Sequence, residues 1–286
     1  MPPWTLVSPA SRGIGFALAR RVLETTNAPL VVTARKELAQ TKRDMLRGLN
    51  VDESRLTMLE LDYRGMHLSS PVPLKSTPNQ LTPADESTMA AAAKVCREKF
   101  PHPENILQMA FIVPGVLYPE KKLGIVYGDD ALLTYQVNSL GPTLMMKYFE
   151  PFLASKAKHL SGENKDEMKG LPSVSTMAVM SARVGSISDN KTGGWYTYRA
   201  SKAAVNSLVK SVDNHLKIRS GDKAMIVSLH PGTVKTDFSK AFWHGVKRGK
   251  LFEKEDAAAN LINVVKKMPL SGRGKCWDYD GKEIPP

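Results

Sequence analysis

Trp4-Thr5-Leu6-Val7-Ser8-Pro9-Ala10-Ser11-Arg12-Gly13-Ile14-Gly15 decides the fold. Its first four residues are an apolar run of strand length. Two glycines then mark a tight turn, and Ala17-Leu18-Ala19-Arg20-Arg21-Val22-Leu23 continues at helical period. A strand, a glycine turn and a helix in that order form a phosphate cradle. Glycine lets the backbone approach the anion, and the unpaired N–H groups of the helix start point at it. Ser8, Ser11, Arg12, Gly13, Ile14 and Gly15 are the residues such a cradle would use. An ordinary strand-to-helix turn, found in any α/β protein, is the competing reading.

Strand and helix signals alternate outward from that stretch. Strands are expected at Trp4–Val7, Leu30–Ala34, Arg55–Leu61, Ile106–Val113, Ser173–Ser181, Met225–His230 and Gly274–Tyr279. Helices are expected at Gly15–Thr25, Glu37–Leu49, Glu86–Phe100, Ala131–Ala154, Tyr198–Ser220 and Glu255–Lys267. The alternation predicts an α/β, Rossmann-type doubly wound parallel sheet of about seven strands with helices on both faces. Its ligands would sit at the carboxyl ends of the strands. A chain of 286 residues with 42% apolar content suits one domain, 1–286. Residues 66–84, rich in Pro, Ser and Thr, and the polar 155–171 read as inserted loops.

No apolar run approaches the roughly 18 residues of a membrane span. The first strand begins at once, which leaves no room for a leader. Cys96 and Cys276 lack ligand spacing, so no metal site is expected, and reduced thiols and a cytoplasmic location are. The net charge of +12 admits an anionic partner. Yet the basic residues are scattered and do not alternate with aromatics as in a nucleic-acid platform. Most are solvated helix faces, and a few would attract phosphates.

Tyr198-Arg199-Ala200-Ser201-Lys202 sets a phenol and an ammonium one helical turn apart. A cation so placed favours the phenolate, lowering a tyrosine pKa from about 10. Such a tyrosine can exchange a proton with an alcohol. Tyr-x-x-x-Lys alone is common on helices, so the neighbouring motifs carry the weight.

Taken with Ser8 to Gly15, Val137-Asn138, Ser181 to Ser186, Gly193 to Tyr196, Pro231 to Thr236 and Asp278 to Gly281, this pair resembles the short-chain dehydrogenase/reductase family. Within it the likeness is to the C-factor and sniffer-like carbonyl reductase branch. The resemblance implies hydride transfer between a nicotinamide cofactor and a small or medium carbonyl or alcohol. Tyr198 would be the acid/base, Lys202 would lower its pKa and bond the nicotinamide ribose, and Asn138 would hold a water leading to solvent. Pro231, Gly232, Val234 and Thr236 would meet the carboxamide, and Asp62 the adenine. Relatives are often dimers or tetramers, which leaves a homodimer or homotetramer open.

The second strand ends Thr33-Ala34-Arg35-Lys36 without the carboxylate that would grip an NAD ribose. Arg12 and Arg35 could instead converge on a 2′-phosphate, so NADP is favoured over NAD.

Three departures qualify the match. The carbonyl-polarising hydroxyl is expected at the second of two serines, where Ala182 stands. That leaves Ser181 as first candidate and Ser186 as second. Pro9 replaces the first turn glycine, and Ile112-Val113-Pro114-Gly115 replaces Asn-Asn-Ala-Gly. These changes keep a second function open: a catalytically weak NADP(H)-binding sensor or partner protein. Phe238, Phe242 and Trp243 read either as an apolar lid or as core.

Overall fold

The structure, a computed structural model, describes residues 2–64, 86–156 and 165–286. The opening stretch folds as its periodicity requires. Strand β1 (Pro3–Ser8) runs into α1 (Gly13–Thr25), then β2 (Leu30–Ala34), α2 (Leu38–Leu46) and β3 (Leu56–Glu60). On the other side of β1 come α3 (Ser87–Lys99), β4 (Ile106–Ile112), α4 (Gly128–Tyr135), α5 (Gly141–Phe149) and β5 (Ser175–Met180). The long α6 (Tyr196–Ser220) leads to β6 (Ala224–His230), the short β7 (Thr233–Val234) and β8 (Leu251–Phe252), α7 (Lys254–Lys267), β9 (Cys276–Asp278) and β10 (Glu283–Ile284).

The main sheet has the order β10-β9-β6-β5-β4-β1-β2-β3. Every pairing in it is parallel except β9 with β10. Among the described residues the sheet therefore has eight strands, not about seven: an antiparallel β10, two residues long, was too short to leave an alternation in the sequence. Chain direction around the sheet reverses between β1 and β4, and this switch point opens a crevice at their carboxyl ends.

Alternation along each strand divides the core in two. Leu6, Val31, Ile106 and Ile226 face α3, α5 and α6, where Met89, Phe149, Val205, Val209 and Leu216 meet them. Val7, Val32, Phe111 and Val227 face α1 and α7, against Leu18, Val22, Leu261 and Val265. Strands buried on both faces read as continuous apolar runs, as β1, β2 and β4 do.

The helix expected over 131–154 is divided. Between α4 and α5 the residues Gln136–Leu140 form one wide π-type turn, and the N–H of Gly141 reaches back to the carbonyl of Gln136. The segment 66–84 lies outside the described residues, as do residues 157–164 of the stretch 155–171. Among the described residues no helix is long and apolar enough to cross a membrane.

Candidate active site

The glycine turn between β1 and α1 is as tight as a turn can be made. A Cβ on Gly15 would stand 2.0 Å from the carbonyl oxygen of Pro9, so only glycine fits, and Gly13 has a φ of +58°. No side chain caps α1, whose first residues follow the extended Arg12. Its leading amides are thus open toward the crevice, with the positive end of the helix dipole behind them. Arg12, Ser11 and Arg35 are exposed, and neither arginine has an ion pair or side-chain hydrogen bond among the described residues.

Other residues of the sequence-derived set are occupied. The Ser8 hydroxyl is buried between the Thr33 hydroxyl at 2.6 Å and the Tyr63 phenol at 2.7 Å. It braces β1 against β2. The Asp62 carboxylate accepts the N–H of Arg64 at 2.8 Å.

Tyr198 and Lys202 stand on one buried face of α6, with the lysine Nζ 5.8 Å from the centre of the phenol ring. The expected acidification of the tyrosine does not follow from this pairing alone. Tyr198 is 7% exposed and Lys202 1% exposed. Burial pushes the phenol above its ordinary value and pulls the ammonium down to about 7. Desolvation causes both shifts, opposite in sign because it disfavours whichever form is charged. Its Nζ donates to the carbonyl of Met180 at 2.8 Å, at the carboxyl end of β5.

The surrounding polar groups lace the site to its scaffold. Asn138, in the π-type turn, accepts the N–H of Val116 at 2.8 Å and donates to the Val116 carbonyl at 2.9 Å. It also donates to the Ser201 hydroxyl at 3.1 Å, which donates to the carbonyl of Tyr198 at 2.7 Å. The Ser181 hydroxyl donates to the carbonyl of Lys202 at 3.2 Å. Ser186 donates to the carbonyl of Pro286 at 3.3 Å and accepts the N–H of Asp189. Both candidate serines are therefore committed within the protein, and Ala182 lies buried between β5 and the Arg183–Gly185 turn. That turn presses so closely on α6 that a Cβ on Gly185 would meet Lys202 at 2.8 Å.

The segment after β6 spans both halves of the crevice. Thr236 lies 3.6 Å from where a Cβ on Gly13 would stand, and Phe238 lies 3.5 Å from the same point on Gly115. Gly232 and Pro231 precede β7, whose pairing with β8 ties Val234 to Phe252. Phe238 also faces the Tyr198 ring at 6.0 Å, Trp195 meets Tyr198 edge-on at 6.2 Å, and Phe242 meets Trp195 at 4.7 Å. The lid reading of Phe238 and Phe242 thus has a geometric basis. Trp195 and Ser201 lie inside the Gly193–Tyr196 and Tyr198–Lys202 motifs without an expected role of their own, and Glu120 carried no signal, because their contacts cross 60 residues or more or depend on packing.

No family model matches the chain. It is 29% identical over 198 residues, 69% of this chain and 74% of the other, to 1-hydroxy-2-glutathionyl-2-methyl-3-butene dehydrogenase of Rhodococcus sp. (strain AD45). In fold it is similar to the carbonyl reductase Sniffer of D. melanogaster, with a TM-score of 0.74 at 24% identity, covering 99% and 98% of the two chains. In sequence and in fold the chain is thus similar to oxidoreductases of the dehydrogenase and carbonyl reductase type. An NADPH-bound carbonyl reductase from chicken fatty liver also shares the reductase's fold, with a TM-score of 0.74 at 21% identity over 99% and 98% of the chains.

Proposed function

We propose that this chain is a short-chain dehydrogenase/reductase, an NADP(H)-dependent oxidoreductase that reduces a small or medium apolar carbonyl, with Tyr198 as its acid. The observation that carries this reading is the buried pair itself. Tyr198 and Lys202 share one face of α6, beside the strand ends where the uncapped α1 and the Thr236 turn converge.

The residues at the phosphate end fit such a cofactor. The open amides of Gly13, Ile14 and Gly15 suit a pyrophosphate, and the unpartnered Arg12 and Arg35 suit a 2′-phosphate better than a 2′-hydroxyl. That preference for NADP over NAD agrees with the NADPH held by the chicken carbonyl reductase. At the reactive end, Phe238 stands over Tyr198, so its segment must swing to admit a nicotinamide. Bound there, the reduced cofactor supplies the hydride. Pro231, Gly232, Val234 and Thr236 line the approach to it, and Asp62 stands at the adenine side.

Tyr198 keeps its proton at neutral pH because burial raises its pKa. It is thus ready to donate to a carbonyl oxygen as negative charge develops there, which favours reduction as the resting direction. Lys202, poised near 7, can give up or take a proton and so recharge the phenol. Asn138 keeps one lone pair on Oδ1 beyond its bond to Val116, enough to hold a water between Lys202 and solvent. Ser181 can polarise the carbonyl only by leaving the Lys202 carbonyl it now bonds.

A second reading, a weakly catalytic NADP(H) binder, is favoured by that same commitment of Ser181 and Ser186 together with Ala182. Tyr198→Phe separates the two. The enzyme reading expects NADPH oxidation with a panel of aldehydes, quinones and ketones, falling about 10²- to 10⁴-fold in the variant with cofactor affinity retained. Equal turnover by parent and variant supports the binder. Exposed Leu123, Ile125, Tyr127 and Leu132, leading into and along α4, suit a homodimer or homotetramer, which light scattering would detect.

A further inference from the structure

The first turn of α6 carries Tyr198, and its sequence offers no cap of its own. The residue before the helix is Trp195, held at a φ of +51° and making no side-chain cap hydrogen bond. A bulky residue in that left-handed region is strained and persists only where its surroundings hold it. Those surroundings are supplied from 75 to 77 positions away in the chain. Glu120 lies in the segment leaving β4 and is 4% exposed. Its Oε2 accepts the N–H of Thr197 at 3.1 Å, and its Oε1 accepts the Thr197 hydroxyl. Its main-chain carbonyl accepts the N–H of Trp195 at 2.7 Å.

Among the described residues no lysine, arginine or histidine forms an ion pair with Glu120. A carboxylate buried away from cations is costly unless hydrogen bonds and a favourable dipole compensate it. Here both do, because it stands at the amide end of a helix of 25 residues. The same exit segment of β4 is fastened a second time, through Val116, Asn138 and Ser201, to the Tyr198 carbonyl. Tyr198 therefore lies between two anchors that lead to one loop.

We infer that Glu120 is a positioning residue: its buried carboxylate fixes the start of α6 and so holds the Tyr198 hydroxyl where it can reach a substrate oxygen. The inference rests on the reading of Tyr198 as the acid. Displacing a catalytic group by about 1 Å can cost on the order of 10²-fold.

The test compares the full-length parent with Glu120→Ala, Glu120→Gln and Tyr198→Phe. Steady-state kinetics, NADPH affinity by fluorescence and hydrogen exchange along α6 are all measured. In Glu120→Ala, kcat should fall roughly tenfold or more, with the carbonyl KM and the NADPH Kd within about threefold of the parent. The peptide spanning 195–200 should exchange about tenfold faster, while peptides over 205–216 keep the parent rate. Glu120→Gln, which keeps one acceptor oxygen, should recover part of kcat. Turnover of Glu120→Ala within twofold of the parent would overturn the inference. So would faster exchange spread evenly along α6, which would mark general destabilisation. If Tyr198→Phe is inactive while Glu120→Ala is not, only the role of Glu120 fails. An active Tyr198→Phe removes the reading on which both depend.

Discussion

The two ends of the crevice are built on opposite plans. At the end proposed for the phosphates, the amides of α1 are uncapped, and Arg12 and Arg35 are exposed without ion-pair or side-chain hydrogen-bond partners among the described residues. At the reactive end, the side-chain polar groups of Asn138, Ser181, Ser186 and Lys202 are bonded within the protein, and Phe238 and Trp195 close over Tyr198. The difference matches what each end would do in the proposed reaction. A charged group can be recognised through water by fixed dipoles and free cations, so that end is left open. The proposed proton transfer needs fixed geometry and little water, which a buried and internally bonded end would provide. The cost of burial is visible in Lys202, whose pKa it brings to about 7.

Beyond the collapse expected for Tyr198→Phe, the largest way to separate the ends is to strip the open one. Arg12→Ala with Arg35→Ala should weaken NADPH binding about 10- to 100-fold, and NADH binding by less than about threefold. The NADPH loss should shrink at high salt. Equal loss for both cofactors in equilibrium titrations would show that the arginines do not read the 2′-phosphate.

The locked end should reveal itself through stability. Lys202 has a folded pKa of about 7 against an ordinary value near 10.5, so the unfolded chain binds more protons between those limits. Stability of the parent should therefore rise with pH across that window. Lys202→Met should abolish turnover yet be more stable than the parent in chemical denaturation at pH 6 to 7, by on the order of a few kcal/mol, with the gap closing toward about pH 10. A variant less stable than the parent at pH 6 would show that the lysine is not a buried burden.

Smaller effects sharpen the account of the hydroxyl. Ala182→Ser should raise kcat about tenfold by placing a donor where none stands, whereas Ser181→Ala should lower it by less than about fivefold. The reverse ranking would give the polarising role to Ser181. Phe238→Ala should change least, speeding NADPH association a few-fold in stopped-flow fluorescence without altering Tyr198. An unchanged or slower association rate would mean that Phe238 is core rather than lid.

The sequence made the open end easier to read than the locked one. The glycine turn is contiguous, so a run of twelve residues carries strand, turn and helix together. The Tyr198–Lys202 spacing was equally plain, since helical periodicity alone puts both on one face. Protonation was not legible: it depends on burial, which no spacing encodes, and the expected acidification of Tyr198 was outweighed. The apolar pattern over 131–154 continues through the π-type turn, so the break at Asn138 left no trace beyond Pro142 near the start of α5. Strands β7, β8 and β10 are two residues each, too short for a period. Glu120 sits in an unremarked Pro119-Glu120-Lys121-Lys122 run and acts on a helix 77 residues later.

A crystal structure of the NADPH complex tests the central claim most directly. The phosphates should rest on the amides of Gly13 to Gly15, with Phe238 withdrawn and the reactive ring carbon within about 5 Å of the Tyr198 hydroxyl. NADPH bound elsewhere, or bound while Phe238 still covers Tyr198, would contradict it.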